Sequence, residues 1–200
     1  MPRNAEFSPD VFLKIATDLI AEKGPDAATT AEILRCAKAP AGSFYYRFAS
    51  RAELLGELWL SLVEQYQAKF LAFLQKGDGL SAALFTPCWA RTHPVEARVL
   101  LLYSQRDFGP GKWPPAFVER AQKLSAELRA GLKAYAKTFC GGQKKDSLQK
   151  VQFALIDVPY AAIRRYLAPE QTIPSSVDDW VRTCFFAMRL EVNSETASIN

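Results

Sequence analysis

The stretch AKAPAGSFYYRFASRAELL, residues 37 to 55, decides how the N-terminal part of the chain folds. Small residues and a proline come first, three consecutive aromatics follow, and a polar segment begins at Ser50. A proline suits the first position of a helix, and a serine followed three residues later by glutamate is a capping box. The stretch therefore predicts a short helix over 41–47 and a long helix that opens at Ser50 and runs to about Gln75.

The residues before this stretch predict two further helices. Ser8 followed by Pro9 is a good helix start, and Gly24 is a good helix end. Thr29 with Glu32 forms another capping box, which opens a short helix to about Ala37. Along the rest of the chain the apolar residues recur at a spacing of 3.6, and no run alternates as a strand would. We expect an all-α fold with about nine helices.

Two short helices joined by a tight turn, and packed on a preceding helix, form a helix-turn-helix. In that motif the second helix lies in the major groove of DNA and leads with its N-terminal end. Small residues at that end allow the backbone to approach DNA closely, and here they are Ala39, Pro40, Ala41, Gly42 and Ser43.

The aromatics of the second helix divide by position. Phe44 and Phe48 lie four residues apart, on one helical face, and are assigned to the core. Tyr45 and Tyr46 lie off that face and can offer hydroxyl groups to phosphates, which positions a protein on the duplex without reading bases. Arg47 and Arg51 add positive charge. From the residues alone, a core hairpin with tyrosines half-buried at the surface remains an open alternative.

Residues 10 to 55 resemble the DNA-binding domain of the TetR family of one-component bacterial regulators. The recognition helix matches from Gly42 to Phe48, and Ser50, Arg51, Glu53, Leu54 and Leu55 match the opening of the family's fourth helix; the earlier matches are Phe12, Ala16, Ile20, Gly24, Thr29, Ile33 and Ala37. The motif and the resemblance together predict DNA contacts by Thr29, Lys38, Ala39, Pro40, Ala41, Gly42, Ser43, Tyr45, Tyr46 and Arg51.

The turn departs from the family pattern. The family usually has Ala-Gly-Val-Ser where this chain has Ala37, Lys38, Ala39 and Pro40. A lysine at the glycine position adopts positive φ only at some cost, or else the turn differs. Ala41 stands where the family often has a basic residue. Four basic residues and one acidic residue lie between Thr29 and Arg51, so we expect a modest dependence of DNA binding on salt.

The resemblance implies a DNA-binding domain over residues 1–52 and a helical ligand-binding and dimerisation domain over 53–200. Residues 148–167 and 176–190 are apolar on two faces, so each predicted helix needs a second partner besides the core. A second subunit fits, and we expect a homodimer that binds a palindromic operator. Pro159 is expected to kink the first of these helices.

Residues 85 to 120 are rich in large aromatics with interspersed polar side chains, which is typical of a small-molecule site. Ordinary core packing is the alternative for each of them, and His93 beside Pro94 also suits a helix cap. The loop from Gly109 to Pro115 is a possible gate, a hypothesis that burial of Trp113 in a closed core would exclude. The predicted ligand contacts are Trp89, His93, Tyr103, Phe108, Trp113, Phe117, Tyr160 and Arg164.

The composition limits the other possibilities. The net charge of +4 permits a nucleic-acid or membrane partner without requiring one. The four cysteines are far apart and the chain has one histidine, so we predict no metal site and no cofactor, and interpret the cysteines as small buried hydrophobic residues. No apolar run reaches the roughly 18 residues that a membrane helix needs, and no signal peptide is evident, so we expect a cytoplasmic protein.

The sequence therefore predicts a transcriptional regulator, with repression relieved by a small molecule as the expected mode. An enzyme is the second class of function, because a cysteine with His93 could act as a nucleophile pair. No hydrolase, phosphate-loop or dinucleotide motif accompanies that pair, so we predict no enzymatic activity. The third possibility is a dimeric helical scaffold that has lost specific DNA binding, which the residues at Lys38 and Ala41 motivate.

Overall fold

A computed structural model of the chain describes residues 7–139, 146–168 and 171–197. Their regular structure is entirely helical, as the sequence predicts. A π-helical turn, Phe153–Asp157, joins α8 to α9 without a break, so besides short 3-10 turns this part of the chain holds nine helices. The helices are α1 (Pro9–Lys23), α2 (Thr30–Ala37), α3 (Ala41–Tyr45), α4 (Arg51–Gln75), α5 (Gly79–Thr92), α6 (Pro94–Leu102), α7 (Pro115–Phe139), α8 (Ser147–Gln152), α9 (Val158–Ile163) and α10 (Ser176–Ala197).

Two of the predicted helix starts are capped by side chains. The Thr29 hydroxyl oxygen accepts a hydrogen bond from the Glu32 amide at 3.1 Å, and the Ser50 oxygen accepts one from the Glu53 amide at 3.2 Å. The Glu53 carboxylate accepts from the Ala49 amide at 2.8 Å, one residue before the predicted partner. Ser8 precedes α1 but its side chain makes no capping bond. The α-helical part of the recognition helix ends at Tyr45 and is shorter than the predicted 41–47.

The chain divides into two compact units. The first contains the described residues up to Glu64 together with Val95–Gln122, and the second contains Gln65–Pro94 with the described residues from Lys123 onward. Packing therefore groups the first half of α4 and the part of α6 from Val95 onward with the N-terminal helices. The functional boundary at 52/53 stays a prediction.

A cluster of phenylalanines forms the centre of the N-terminal three helices in the first unit. Phe44 is fully buried and makes an edge contact with Phe12, at 5.7 Å between ring centroids. Phe48 lies 5.7 Å from Phe44 on the other side. Ile33 from α2 is fully buried as well. The predicted assignment of Phe44 and Phe48 to the core is confirmed.

The remainder of the first unit packs on α4. A Cβ placed on Gly56 would lie 2.8 Å from Phe117 Cδ2 and 3.0 Å from Trp113 Nε1, so both side chains lie directly over the glycine. Arg120 of α7 donates to Glu57 Oε2 at 2.7 Å and to Glu64 Oε2 at 2.6 Å. Close backbone approach and a charged cluster thus join α7 to α4.

The second unit contains two polar linkages of its own. Arg91 of α5 donates to both carboxylate oxygens of Asp178, at 3.0 and 2.8 Å, and to the carbonyls of Ile173 and Pro174. These bonds fix the start of α10 against α5. Tyr66 shares a 2.6 Å hydrogen bond with Thr86, and burial raises the pKa of Tyr66 to about 12.

The helices predicted to dimerise have both a buried and an exposed apolar side. Val181 and Phe185 of α10 face the core, whereas Trp180 and Phe186 are 50% and 43% exposed. In the segment of α8 and α9, Ile163 is fully buried, whereas Phe153 is 49% exposed. The π turn precedes Pro159, where proline lacks the N–H that an α-helix would use.

The interpretation of the cysteines as buried residues is wrong for those that the structure describes. Cys36, Cys88 and Cys184 are free thiols and all three are exposed. Each lies on the exposed side of its helix, so the spacing of buried residues along the helix, and not the size of the cysteine, keeps it out of the core. Cys140 lies outside the described residues.

A methyl group added to Gly56 tests the packing on α4. The resulting overlap costs about 1–3 kcal/mol, more than the roughly 1 kcal/mol that alanine gains over glycine inside a helix. We expect Gly56→Ala to lower the free energy of unfolding by up to about 2 kcal/mol, measured by urea denaturation. The matched control is Gly42→Ala, whose added methyl meets no described atom within 4 Å. Equal stabilities of the two variants would contradict the packing.

Candidate nucleic-acid interface

The turn between α2 and α3 passes through Lys38 in the left-handed conformation, with φ 50° and ψ 36°. Lys38 is the one non-glycine residue with positive φ in the described part of the chain. Its amide donates to the Arg35 and Leu34 carbonyls, and the Ala39 amide also donates to Leu34, which closes the end of α2. Of the two alternatives that the sequence left open, the structure shows the first, a lysine in the conformation that glycine would favour.

The recognition helix α3 presents its tyrosines to solvent. Tyr45 is 58% exposed and Tyr46 is 82% exposed, whereas Phe44 between α3 and the core is fully buried. The Ser43 hydroxyl donates to the Pro40 carbonyl at 2.7 Å, so its one hydrogen is engaged within the turn. The tyrosines therefore supply the exposed hydroxyl donors of this helix.

Gly42 has no structural requirement for glycine within the chain. Its φ is not in the positive range that favours glycine, and a Cβ there would meet no described atom within 4 Å. Glycine in a helix lowers stability relative to alanine. Packing within the chain therefore does not require glycine at position 42.

Two of the nearby arginines have partners on their own helices. Arg35 donates from Nε and a terminal nitrogen to the Glu32 carboxylate at 2.8 and 2.6 Å, and this bond lowers the pKa of Glu32. Arg47 donates to the Ser43 carbonyl at 3.0 Å, and its guanidinium lies 5.5 Å from the centre of the Tyr46 ring.

Arg51 links two segments of the first unit. Its Nε donates to the Ala28 carbonyl at 2.7 Å and a terminal nitrogen donates to the Pro25 carbonyl at 2.6 Å. These bonds hold the start of α4 against the 3-10 turn (Pro25–Ala27) that precedes α2. The sequence assigned Arg51 to phosphate contact, which stays a prediction, but the structure gives it a positioning role as well.

Lys38 differs from the three arginines. Its side chain is exposed and makes no hydrogen bond or ion pair with any residue that the structure describes. All ten residues predicted to contact DNA are exposed or half-buried: Thr29, Lys38, Ala39, Pro40, Ala41, Gly42, Ser43, Tyr45, Tyr46 and Arg51.

The eight predicted ligand residues divide between the two units. In the first unit, Trp113 is buried and donates from Nε1 to the Phe108 carbonyl at 2.9 Å, while Phe117 lies over Gly56. Tyr103 lies elsewhere in this unit, beside Gly24 at the end of α1. Burial of Trp113 argues against the gate hypothesis, because this side chain anchors its loop in the core.

In the second unit, Trp89 and His93 stack at 5.4 Å between ring centroids. The backbone N–H of His93 caps α5 by donating to the Trp89 carbonyl at 2.8 Å. Tyr160 is half-buried on α9, and Arg164 after it is exposed.

Two aromatic residues of α4, which are not among the residues predicted from the sequence to bind a ligand, contact the predicted aromatic residues. Trp59 packs on Phe108 and Trp113 in the first unit, and Tyr66 packs on Phe85 and Trp89 in the second. Both lie on the long amphipathic helix, where an aromatic is ordinarily interpreted as core. The sequence offered one signal for a special role: each side chain carries a polar atom, which needs a hydrogen-bond partner when it is buried.

Comparison with known proteins agrees with the N-terminal geometry. Residues 12–58 match the family described as "Bacterial regulatory proteins, tetR family". The matched segment runs from α1 into the first turns of α4. No curated protein matches the chain. Within the described residues, no helix is both long and apolar enough to cross a membrane.

Substitution of Arg51 tests its positioning role separately from DNA binding. Removal of a charged donor that serves two carbonyls should lower the free energy of unfolding by about 1–3 kcal/mol in Arg51→Ala. The matched control is Arg35→Ala, whose ion pair with Glu32 lies at the surface and contributes little to stability. Both are measured by urea denaturation without DNA. An effect of Arg51→Ala no larger than that of the control would show that these bonds do not hold the domain together.

Proposed function

We propose that the chain, whose residues 12–58 match the tetR family of bacterial regulatory proteins, is a DNA-binding transcriptional regulator of that family and a repressor that a small molecule releases from its operator. Regulators of this family are generally non-enzymatic. The observation that best supports DNA contact through α3 is Gly42, a helical glycine with open space around it. We propose residues 1–52 as the DNA-binding domain and 53–200 as the effector and dimerisation domain.

In this proposal α3 enters the major groove with its small residues leading. The bare backbone at Gly42 approaches the duplex, and the Tyr45 and Tyr46 hydroxyls donate to phosphates. Thr29 adds a further donor, because its oxygen accepts the capping bond while its own hydrogen remains available. These uncharged contacts set the register of the protein on DNA.

Lys38 supplies the charge in this proposal. The left-handed backbone costs a non-glycine residue roughly 1–2 kcal/mol, and glycine would avoid that cost. The lysine side chain gains no described intramolecular partner in return. A phosphate contact accounts for a lysine at this position, since the strain is then offset when DNA binds.

We propose that a second subunit covers the exposed apolar side of α8 and α10. Phe153, Trp180 and Phe186 are 49%, 50% and 43% exposed, and they lie in the segments predicted to dimerise, 148–167 and 176–190. Members of the family usually dimerise. A twofold dimer presents two recognition helices to half-sites one DNA turn apart, about 34 Å, which fits a palindromic operator.

Release by an effector requires that the small molecule bind two states of the dimer with different affinity. Helix α4 begins directly after the recognition helix and contributes residues to both compact units, so it is the proposed lever. The protein would act where the bacterial chromosome lies, in the cytoplasm.

The proposal is tested by titrating the protein with the intergenic DNA upstream of its own gene at several salt concentrations, beside Tyr45→Phe. Tight binding that falls with salt, and that weakens in the variant, supports it. Binding no tighter than to random DNA, there and across a genome-wide selection of fragments, would favour the dimeric scaffold instead.

Lys38→Gly should have opposite effects on stability and on DNA binding. Relief of backbone strain raises the free energy of unfolding by about 1 kcal/mol, while loss of one phosphate contact weakens binding and reduces the salt slope by about 0.9. Lys38→Arg is the control, because it keeps the charge and should keep the salt slope. A glycine variant that is stabilised yet binds DNA with an unchanged slope would contradict the phosphate contact.

Trp180→Asp tests the dimer surface. A charge placed in the covered apolar face should shift the protein from dimer to monomer in sedimentation equilibrium and weaken operator binding with it. The control is Lys14→Ala, at an exposed position on α1, which should leave the dimer intact. A dimer of unchanged affinity in Trp180→Asp would place the interface elsewhere.

A further inference from the structure

The residues that the helix-turn-helix geometry brings to the bases have neither amide nor charged side chains. In that motif the first residues of the second helix contact base edges, while the first helix crosses the DNA backbone. In this chain those residues are Pro40, Ala41, Gly42 and Ser43. The usual bidentate contacts with bases come from arginine, lysine, asparagine, glutamine and the acidic residues, and none of these types occurs among the four.

Ser43 is the one member of this set with a polar side chain. Its hydroxyl donates to the Pro40 carbonyl at 2.7 Å, and the residue is half-buried. A serine hydroxyl has one hydrogen, so this bond leaves the oxygen with acceptor lone pairs and no free donor. Hydrogen bonding from the side chains of this segment to bases is therefore reduced to a single, partly covered oxygen atom.

Pro40 and Ala41 present carbon atoms in place of polar groups. Both residues are exposed, Pro40 as the residue before α3 and Ala41 as its first residue. The fully buried Phe44 ties the same short helix to the core, so the fold sets where these two apolar groups lie. Proline and alanine side chains lose almost no conformational entropy when they are covered, so a contact made by them has little entropic cost.

Thymine is the base that complements such a surface. Its C5 methyl group projects into the major groove, where the other three bases present hydrogen-bond donors and acceptors. Apolar contact between an alanine and the thymine methyl group is a known form of base recognition. The exposed carbon atoms of Pro40 and Ala41 therefore match a methyl group and offer no hydrogen bond to the polar base edges.

We infer that the protein selects its DNA site through contact of Pro40 and Ala41 with thymine C5 methyl groups, and not through hydrogen bonds from α3 to base edges. This inference rests on the proposed function, because it assigns the base recognition of the proposed operator complex. In that complex Lys38, Tyr45 and Tyr46 contact phosphates. Affinity and base selection thus come from different groups of the same segment.

The test uses the full-length protein and the DNA fragment that it binds most tightly in a genome-wide selection, resynthesised with altered bases. Each thymine of a half-site is replaced in turn by uracil, which lacks only the methyl group, or by cytosine or 5-methylcytosine paired with guanine. We expect thymine and 5-methylcytosine to bind alike at the contacted positions, and uracil and cytosine to bind alike but more weakly. Burial of one methyl group corresponds to about a fourfold change in Kd.

Ala41→Gly removes one of the two apolar groups from the protein. We expect the Kd for thymine DNA to rise about fourfold and the Kd for uracil DNA to stay the same, so that the thymine preference disappears at the base that contacts residue 41. The matched control is Ala31→Gly, at an exposed alanine near the start of α2 and outside the predicted contacts, which should keep the thymine preference. The comparison of DNAs with wild-type protein decides the question even if the variant does not fold.

Three results would overturn the inference. The first is equal affinity for thymine and uracil DNA at every position. The second is that 5-methylcytosine binds no better than cytosine wherever uracil weakens binding, which would indicate hydrogen-bond recognition of thymine. The third is a thymine preference that Ala41→Gly leaves unchanged at every position, which would assign the methyl contact to other residues.

The same titrations separate this inference from the proposed function. A fragment that the protein binds more tightly than random DNA, but without the expected differences between bases, refutes methyl recognition and leaves the regulator intact. Binding of every fragment no tighter than random DNA refutes the regulator, and the inference with it.

Discussion

Burial of Phe44 is the constraint on which the candidate interface depends. A helix of five residues has few side chains, and one of them is fixed in the core against Phe12 and Phe48. Once Phe44 is inward, the helical spacing turns Tyr45 and Tyr46 outward and leaves the backbone of Gly42 uncovered. The burial of Phe44 thus determines which side chains and backbone groups of this segment are exposed to a partner.

Most of the basic side chains near this interface form hydrogen bonds with other groups of the protein. Arg35 and Arg47 bond within their own helices, and Arg51 joins α4 to the turn before α2. Such bonds give the domain its shape, because a charged donor on a carbonyl is stronger than a neutral one. Counting basic residues therefore overestimates the charge available to phosphates, and Lys38 stands apart because it combines exposure with a strained backbone.

The two units treat their aromatic residues differently. Around Tyr66 the polar atoms are paired, so the cluster is a completed core, and burial of the phenol raises its pKa to about 12. Around Trp59 the indole Nε1 has no acceptor among the residues that the structure describes. Similar aromatic content in the sequence thus corresponds to two clusters that differ in the hydrogen bonding of their polar atoms.

The sequence by itself determined the features that depend on near neighbours in the chain. Helix starts at Thr29 and Ser50 and the inward side of α3 follow from capping and the 3.6 repeat, whereas the left-handed turn at Lys38 was one of two outcomes that the sequence left open. Tertiary structure alone decided which atoms are satisfied: the carbonyls that Arg51 reaches lie 23 and 26 residues away. It also decided that the cysteines are exposed and that the predicted ligand residues divide between two units. Those outcomes depend on packing between distant segments, which local spacing does not encode.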